Sequence, residues 1–168
     1  VVAGNGLHSL VESHHNHDKG KKDGIQVDMN VIAGNGLVGI VSEVGESYAK
    51  VRAIIDDKSN VSAMFQDTGE TCIVKGNMES IYKGYIDIEM ISNTAKIKDG
   101  DEVVTSHVSD KFLQGLSVGY VKDIVSDPSS QTKTAHLIPS VNFDQLENVL
   151  VITQLKDNSE IKDIKNYD

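Results

Sequence analysis

Lys22-Asp23-Gly24, then Gly36-Leu37-Val38-Gly39-Ile40-Val41; Lys98-Asp99-Gly100, then Gly115-Leu116-Ser117-Val118-Gly119-Tyr120-Val121: the chain writes one pattern twice. In each copy the Lys-Asp-Gly triplet is followed, after two intervening residues, by a valine, Val27 or Val103. After an intervening stretch comes a glycine-anchored run rich in β-branched residues. Matched anchors at matched positions imply two copies of one β unit. The copies differ at nearly every polar position that could do chemistry, so backbone geometry is what they share. Six glycines are read as structural on this ground: Gly24, Gly36, Gly39, Gly100, Gly115 and Gly119.

Composition points the same way. The apolar set is mainly Val and Ile, which favour strands, and the chain has no Trp and only 2 Pro. At 168 residues there is room for one domain or two small ones, and the repeat favours two, each with a thin core. The net charge of -9 disfavours nucleic acid or an anionic lipid surface as partner, since either repels the chain at long range. Cys72 is the single cysteine, so no internal disulfide is possible. No apolar run reaches the ~18 residues that a bilayer crossing needs.

Turn residues divide the chain into strands expected at 27–33, 37–44, 49–55, 61–65, 71–75, 85–91, 102–106, 116–125, 132–138 and 149–155. Asn35-Gly36 reads as a hairpin turn supplying positive φ angles. Residues 76–84 read as a loop. Asn142-Phe143-Asp144-Gln145-Leu146-Glu147 suits one helical turn capped by Asn142, with acidic residues fitted to its N-terminus. The fold class is therefore all-β: two small β-barrels of related topology with at most one or two short helical turns. The expected division is an N-terminal segment 1–17, a first barrel 18–66, a second barrel 67–155 and a polar tail 156–168.

Several motifs suggest chemistry without the structural context that chemistry requires. Gly34-Asn35-Gly36-Leu37-Val38-Gly39 matches a dinucleotide fingerprint, with Asp56 placed to meet a ribose. That motif works by opening a helix whose amides hold pyrophosphate, and here a β-branched run follows. Gly115-Leu116-Ser117-Val118-Gly119 matches a nucleophile elbow, but Ser117 also opens a β run, and the first copy keeps the glycines without a serine. Ser106, His107 and Asp110 are triad types side by side, whereas a triad is assembled by the fold. His8, His14, His15 and His17 could share a metal ion, yet no cysteine or carboxylate frame surrounds them, and a solvated polar stretch is the ordinary reading. His136, between Ala135 and Leu137 on a strand, is read as facing solvent. No catalytic residue, cofactor or resident metal is expected.

The run Ile97 to Ser106, continuing through Phe112 to Gly115-Leu116-Ser117-Val118-Gly119-Tyr120-Val121, resembles the rod shape-determining MreC family. Asp18 to Ile25, Gly36 to Val41, the Asp56 turn and Leu146 to Ile152 agree in the same order, so the resemblance covers about residues 18–155. It departs after Thr105-Ser106, where that family has a glycine and then a Gly-rich, Phe-Pro-containing loop, and at Glu12 to His17, where the family has an apolar first strand. The resemblance implies the extracytoplasmic part of a membrane-anchored scaffold of cell-wall elongation, with its anchor and most or all of its coiled coil removed. It implies self-association as dimers or filaments, contact with MreD and penicillin-binding transpeptidases, and an indirect link to MreB. The membrane enters only through the removed anchor. The rival reading is a two-barrel, trypsin-like hydrolase with Ser117 as nucleophile.

Overall fold

The computed structural model describes residues 15–17, 19–126 and 129–157. The expectations for residues 1–14, which include His8 and His14, and for the tail beyond 157 lie outside the described residues. Among the described residues eleven strands run in chain order: β1 (His15–His17), β2 (Asn30–Ala33), β3 (Gly36–Val44), β4 (Ala49–Ala53), β5 (Asn60–Phe65), β6 (Thr71–Lys75), β7 (Ile86–Ser92), β8 (Glu102–Thr105), β9 (Ser117–Ser126), β10 (Thr132–Pro139) and β11 (Leu150–Ile152). Among the described residues there is one short α-helix, α1 (Met78–Ile81), and two 3-10 turns.

Period-two alternation decides which side of each strand is buried. In β4, Ala49, Val51 and Ala53 are buried between the half-exposed Lys50 and Arg52; in β5, Val61, Ala63 and Phe65 are buried. Antiparallel ladders join β9, β10, β7, β6, β5 and β8 in turn, and β8 returns to β9. That closes a six-stranded barrel around Phe65, Ile86, Ile88 and Leu137, each with no exposed surface. Closure leaves these six strands no free edge.

The remaining strands form an open antiparallel sheet in the order β11-β2-β3-β4-β1. It joins the barrel through one parallel contact, Gly36 of β3 beside Ser117 of β9. Buried side chains from both sets, among them Val31, Leu37 and Val41 with Val103, Val118 and Val121, belong to one continuous core. A chain division between 66 and 67 thus falls within the β5–β6 hairpin, and the last strand returns to β2 rather than to the barrel.

Four local expectations need correcting. Ala33 pairs with Gly36, so the hairpin turn is Gly34-Asn35, and Gly34 (φ 56°) supplies the positive φ, the first-position glycine of a mirror-image turn. Val27 lies in a turn and is 47% exposed, because β2 starts only at Asn30. Residues 76–84 are not all loop: Asn77 Oδ1 accepts the N–H groups of Glu79 and Ser80 at 3.0 Å, capping α1. A single turn is too short to leave a periodic signal. Finally, His15–His17 pairs with β4 as a strand despite its polar sequence. Within the stretch 142–147 read as one helical turn, a 3-10 turn forms at Phe143–Gln145, with Asn142 Oδ1 accepting the Asp144 N–H at 3.1 Å.

Candidate interaction surface

The glycine anchors shape the two copies. Gly39 lies opposite Val31 of β2 and Ala53 of β4, while Gly119 lies opposite Val103 of β8 and Pro139 of β10. A Cβ at either position would run into a carbonyl of the next strand, that of Arg52 beside Gly39 and that of Ile138 beside Gly119. A Cβ on Gly36 would strike Val141, at the contact between sheet and barrel. Gly115 has φ 85° and its N–H donates to Thr105 O at 3.0 Å.

The same frame extends upstream, with a change of residue. Asp28 N–H donates to Val41 O and Val41 N–H to Met29 O, both at 2.9 Å. In the second copy Gly100 N–H donates to Val121 O at 2.8 Å and Val121 N–H to Asp101 O at 2.9 Å. Asp28 (φ 68°) is therefore the counterpart of Gly100 (φ 91°). Gly24 does a different job, capping the turn Lys21–Asp23 at φ 80°. The two Lys-Asp-Gly triplets are alike in sequence but not in place.

One polar side chain that sequence reasoning missed ties the sheet to the barrel. Asn30 is buried, its Nδ2 donates to Lys111 O at 3.0 Å and its Oδ1 accepts the Leu113 N–H at 2.8 Å. Across the same segment Thr105 Oγ1 accepts the Leu116 N–H at 2.8 Å, and Ser109 Oγ accepts the Phe112 N–H at 2.9 Å. Residues 106–116 are thus held at both ends and in the middle. Sequence offered one weak signal for Asn30, an amide at the start of an apolar run.

Among the described residues the triad and fingerprint types singled out in the sequence are not brought together. Ser117 Oγ donates to Glu102 Oε1 at 2.8 Å and lies 2.7 Å from Ser140 Oγ; among the described residues no histidine hydrogen-bonds to it. Ser106 is buried and its Oγ accepts the Val108 N–H, in the turn that carries His107. Asp56 Oδ1 accepts the Lys58 N–H at 2.8 Å in its own turn. Gly39, where the dinucleotide fingerprint would open a helix, is inside β3. Cys72 is buried on β6, and burial pushes its thiol up to about 12, which leaves it protonated and unreactive at neutral pH.

His136 faces outward from β10, between the buried Ala135 and Leu137, but is partly covered. It is half-buried on the outer face of the barrel, its ring stacked on Tyr85 with centroids 3.8 Å apart and its Nδ1 3.4 Å from Asp123 Oδ2. Around it the outer face carries exposed apolar side chains, Tyr120 beside Ile138 and, further along, Val125 and Met90. The open sheet adds two strand edges, β1 and β11.

A family profile described as "Rod shape-determining protein MreC, barrel core" matches residues 15–153. The cell shape-determining protein MreC of Listeria monocytogenes is 31% identical over 143 residues, 80% of this chain and 46% of that protein. The chain therefore spans about half the length of this relative. The crystal structure of MreC from Pseudomonas aeruginosa superposes with a TM-score of 0.76 at 26% identity, covering 83% of this chain and 88% of that one. MreC in a complex with the penicillin-binding protein PBP2 from Helicobacter pylori shares the fold at a TM-score of 0.60 and 15% identity, over 89% of this chain and 94% of that one. With the match running from β1 through β11, this chain belongs to the rod shape-determining MreC family.

Proposed function

We propose that this chain is a non-catalytic scaffold of bacterial cell-wall elongation, which maintains rod shape by holding peptidoglycan-synthesising enzymes through protein contacts. Membership of the MreC family carries the reading. Ser117 Oγ bonds to Glu102 and Ser140, and among the described residues no histidine hydrogen-bonds to it, which supports the scaffold reading against a trypsin-like hydrolase, whose serine is activated by a histidine. The partner class follows from the Helicobacter pylori protein described in complex with PBP2. Self-association, contact with MreD and an indirect link to MreB belong to the same proposal, as does an extracytoplasmic position on a membrane anchor. Among the described residues no helix is long and apolar enough to cross a membrane.

In this reading the chain carries two barrel-like units sharing one core, the open sheet of residues 15–17, 30–53 and 150–152 and the closed barrel of 60–139. The test is calorimetric titration of this chain with the extracytoplasmic part of a penicillin-binding transpeptidase from the same bacterium, alongside a fluorophosphonate label for active serines. Saturable binding and an unlabelled Ser117 are expected. Labelling of Ser117, or no binding to any such transpeptidase, would overturn the scaffold reading.

A further inference from the structure

Asn35, in the turn between β2 and β3, is the only asparagine followed by glycine among the described residues. With no Cβ on Gly36, nothing shields its peptide nitrogen from the Asn35 carboxamide. Ala33 pairs with Gly36, so Gly34 and Asn35 make a two-residue turn with Gly34 at φ 56° and Asn35 not at positive φ. Asn35 is exposed, and among the described residues its carboxamide has no hydrogen-bond partner. By contrast Asn30, Asn77, Asn93 and Asn142 all commit theirs to hydrogen bonds.

The next residue is anchored where Asn35 is free. Gly36 is buried, lies beside Ser117 of β9 at the contact between sheet and barrel, and has no room for a Cβ against Val141. In a turn of four residues the N–H of the last is directed at the carbonyl of the first. The Gly36 nitrogen is therefore turned toward Ala33 while the hairpin is closed, and it reaches the Asn35 side chain only when the hairpin end opens. Local opening of this kind is the cheapest motion a folded chain makes.

We propose that Asn35 is a site of spontaneous deamidation, gated by opening of the β2–β3 hairpin, whose isoaspartate product alters the joint between sheet and barrel. Base removes the Gly36 amide proton and the nitrogen attacks Asn35 Cγ. A C–N bond forms, the bond to the side-chain nitrogen breaks, and that nitrogen leaves as ammonia after taking a proton from water. Water then opens the cyclic imide. Cleavage at the side-chain carbonyl leaves aspartate; cleavage at the main-chain carbonyl leaves isoaspartate, with the backbone routed through the former side chain. The sum is one water consumed and one ammonia released, with no oxidant or reductant. Aspartate adds only a charge at an exposed turn. Isoaspartate also lengthens the backbone by one methylene next to Gly36, and a lengthened strand end cannot keep Gly36 in register with both Ala33 and Ser117.

The test is peptide mapping of the chain incubated at mildly alkaline pH, folded and in urea, beside the free peptide of residues 31–38. Tryptic peptides ending at Lys19 and Lys50 keep Asn35 apart from Asn5, which lies in the same Ala-Gly-Asn-Gly-Leu run. Conversion at Asn35 is expected to be faster than at any other described asparagine, slower than in the free peptide by about tenfold or more, and equal to the peptide's rate in urea. The aspartate and isoaspartate chains are then separated by chromatography and compared by NMR. Amide signals of Ser117 and Val141 should stay in place with aspartate, as in Asn35→Asp, and move with isoaspartate. Conversion at Asn35 no faster than at the other described asparagines, a folded rate equal to that of the peptide, or unmoved Ser117 and Val141 signals in the isoaspartate chain would overturn the proposal. None of these outcomes bears on transpeptidase binding, which tests the scaffold reading separately.

Discussion

The first copy turns from β2 to β3 through Gly34-Asn35, whereas the second spends residues 106–116 passing from β8 to β9. Yet Gly39 and Gly119 meet the same kinds of neighbour, and Asp28 and Gly100 make the same hydrogen bond to Val41 and Val121. The ladder is kept while the connection varies. Chain direction and carbonyl spacing fix the ladder, but a loop need only return the chain to the correct register. The longer connection of the second copy is what Asn30 grips, so the divergence between copies supplies the joint between sheet and barrel.

The equivalence can be broken most severely at the close approaches. Gly39→Val and Gly119→Val each force a side chain against a neighbouring carbonyl and should cost about 3 kcal/mol, with thermal midpoints falling by roughly 6–12 °C for a chain of this size. A loss in one copy alone would deny that the two glycines do the same work. Next in size is the joint. Asn30→Ala leaves Lys111 O and Leu113 N–H without their buried partner, an expected loss of about 2 kcal/mol by denaturant unfolding. Amide exchange at Leu113 should quicken as well.

Smaller effects sharpen the comparison at the left-handed positions. Gly100→Ala should cost about 1 kcal/mol, since φ 91° suits only glycine. Asp28→Gly should change stability by no more than about 0.5 kcal/mol, because it relieves φ 68° while losing only a surface ion pair with Lys111 at 3.8 Å. Equal penalties for both substitutions would contradict the account of Asp28. The smallest expected effect is on acid stability. The Gly20 N–H, seconded by Lys19, holds the Asp23 carboxyl below the usual 3.8. A group held low in the folded state stabilises fully above its unfolded value and loses that contribution as pH falls through the folded one. Asp23→Asn should therefore flatten the decline of stability below about pH 4, measured by urea midpoints.

Much of the β architecture was legible because alternation and turn residues are local. Tyr85-Ile86-Asp87-Ile88-Glu89-Met90 gave β7 to within a residue at either end, and Asn142 gave its turn. What escaped was set by distant partners. Nothing in Val61 to Phe65 says that β5 pairs with β6 and β8, and nothing near residue 150 says that β11 returns to β2. The Lys-Asp-Gly triplets misled because identical letters served different turns, while the true counterpart of Gly100 was an aspartate. The outer face around His136 was hidden for another reason. It depends on two bulges, and a bulge leaves an alternating sequence looking unbroken until the register is known.

The equivalence of the copies can be read directly from couplings across hydrogen bonds, measured by NMR on the isotopically labelled chain. The expected result is a coupling from the Asp28 amide to the Val41 carbonyl and a matching one from the Gly100 amide to the Val121 carbonyl. A coupling from the Gly24 amide to Val41, with none from Asp28, would restore the register of the triplets and contradict the shared frame described here.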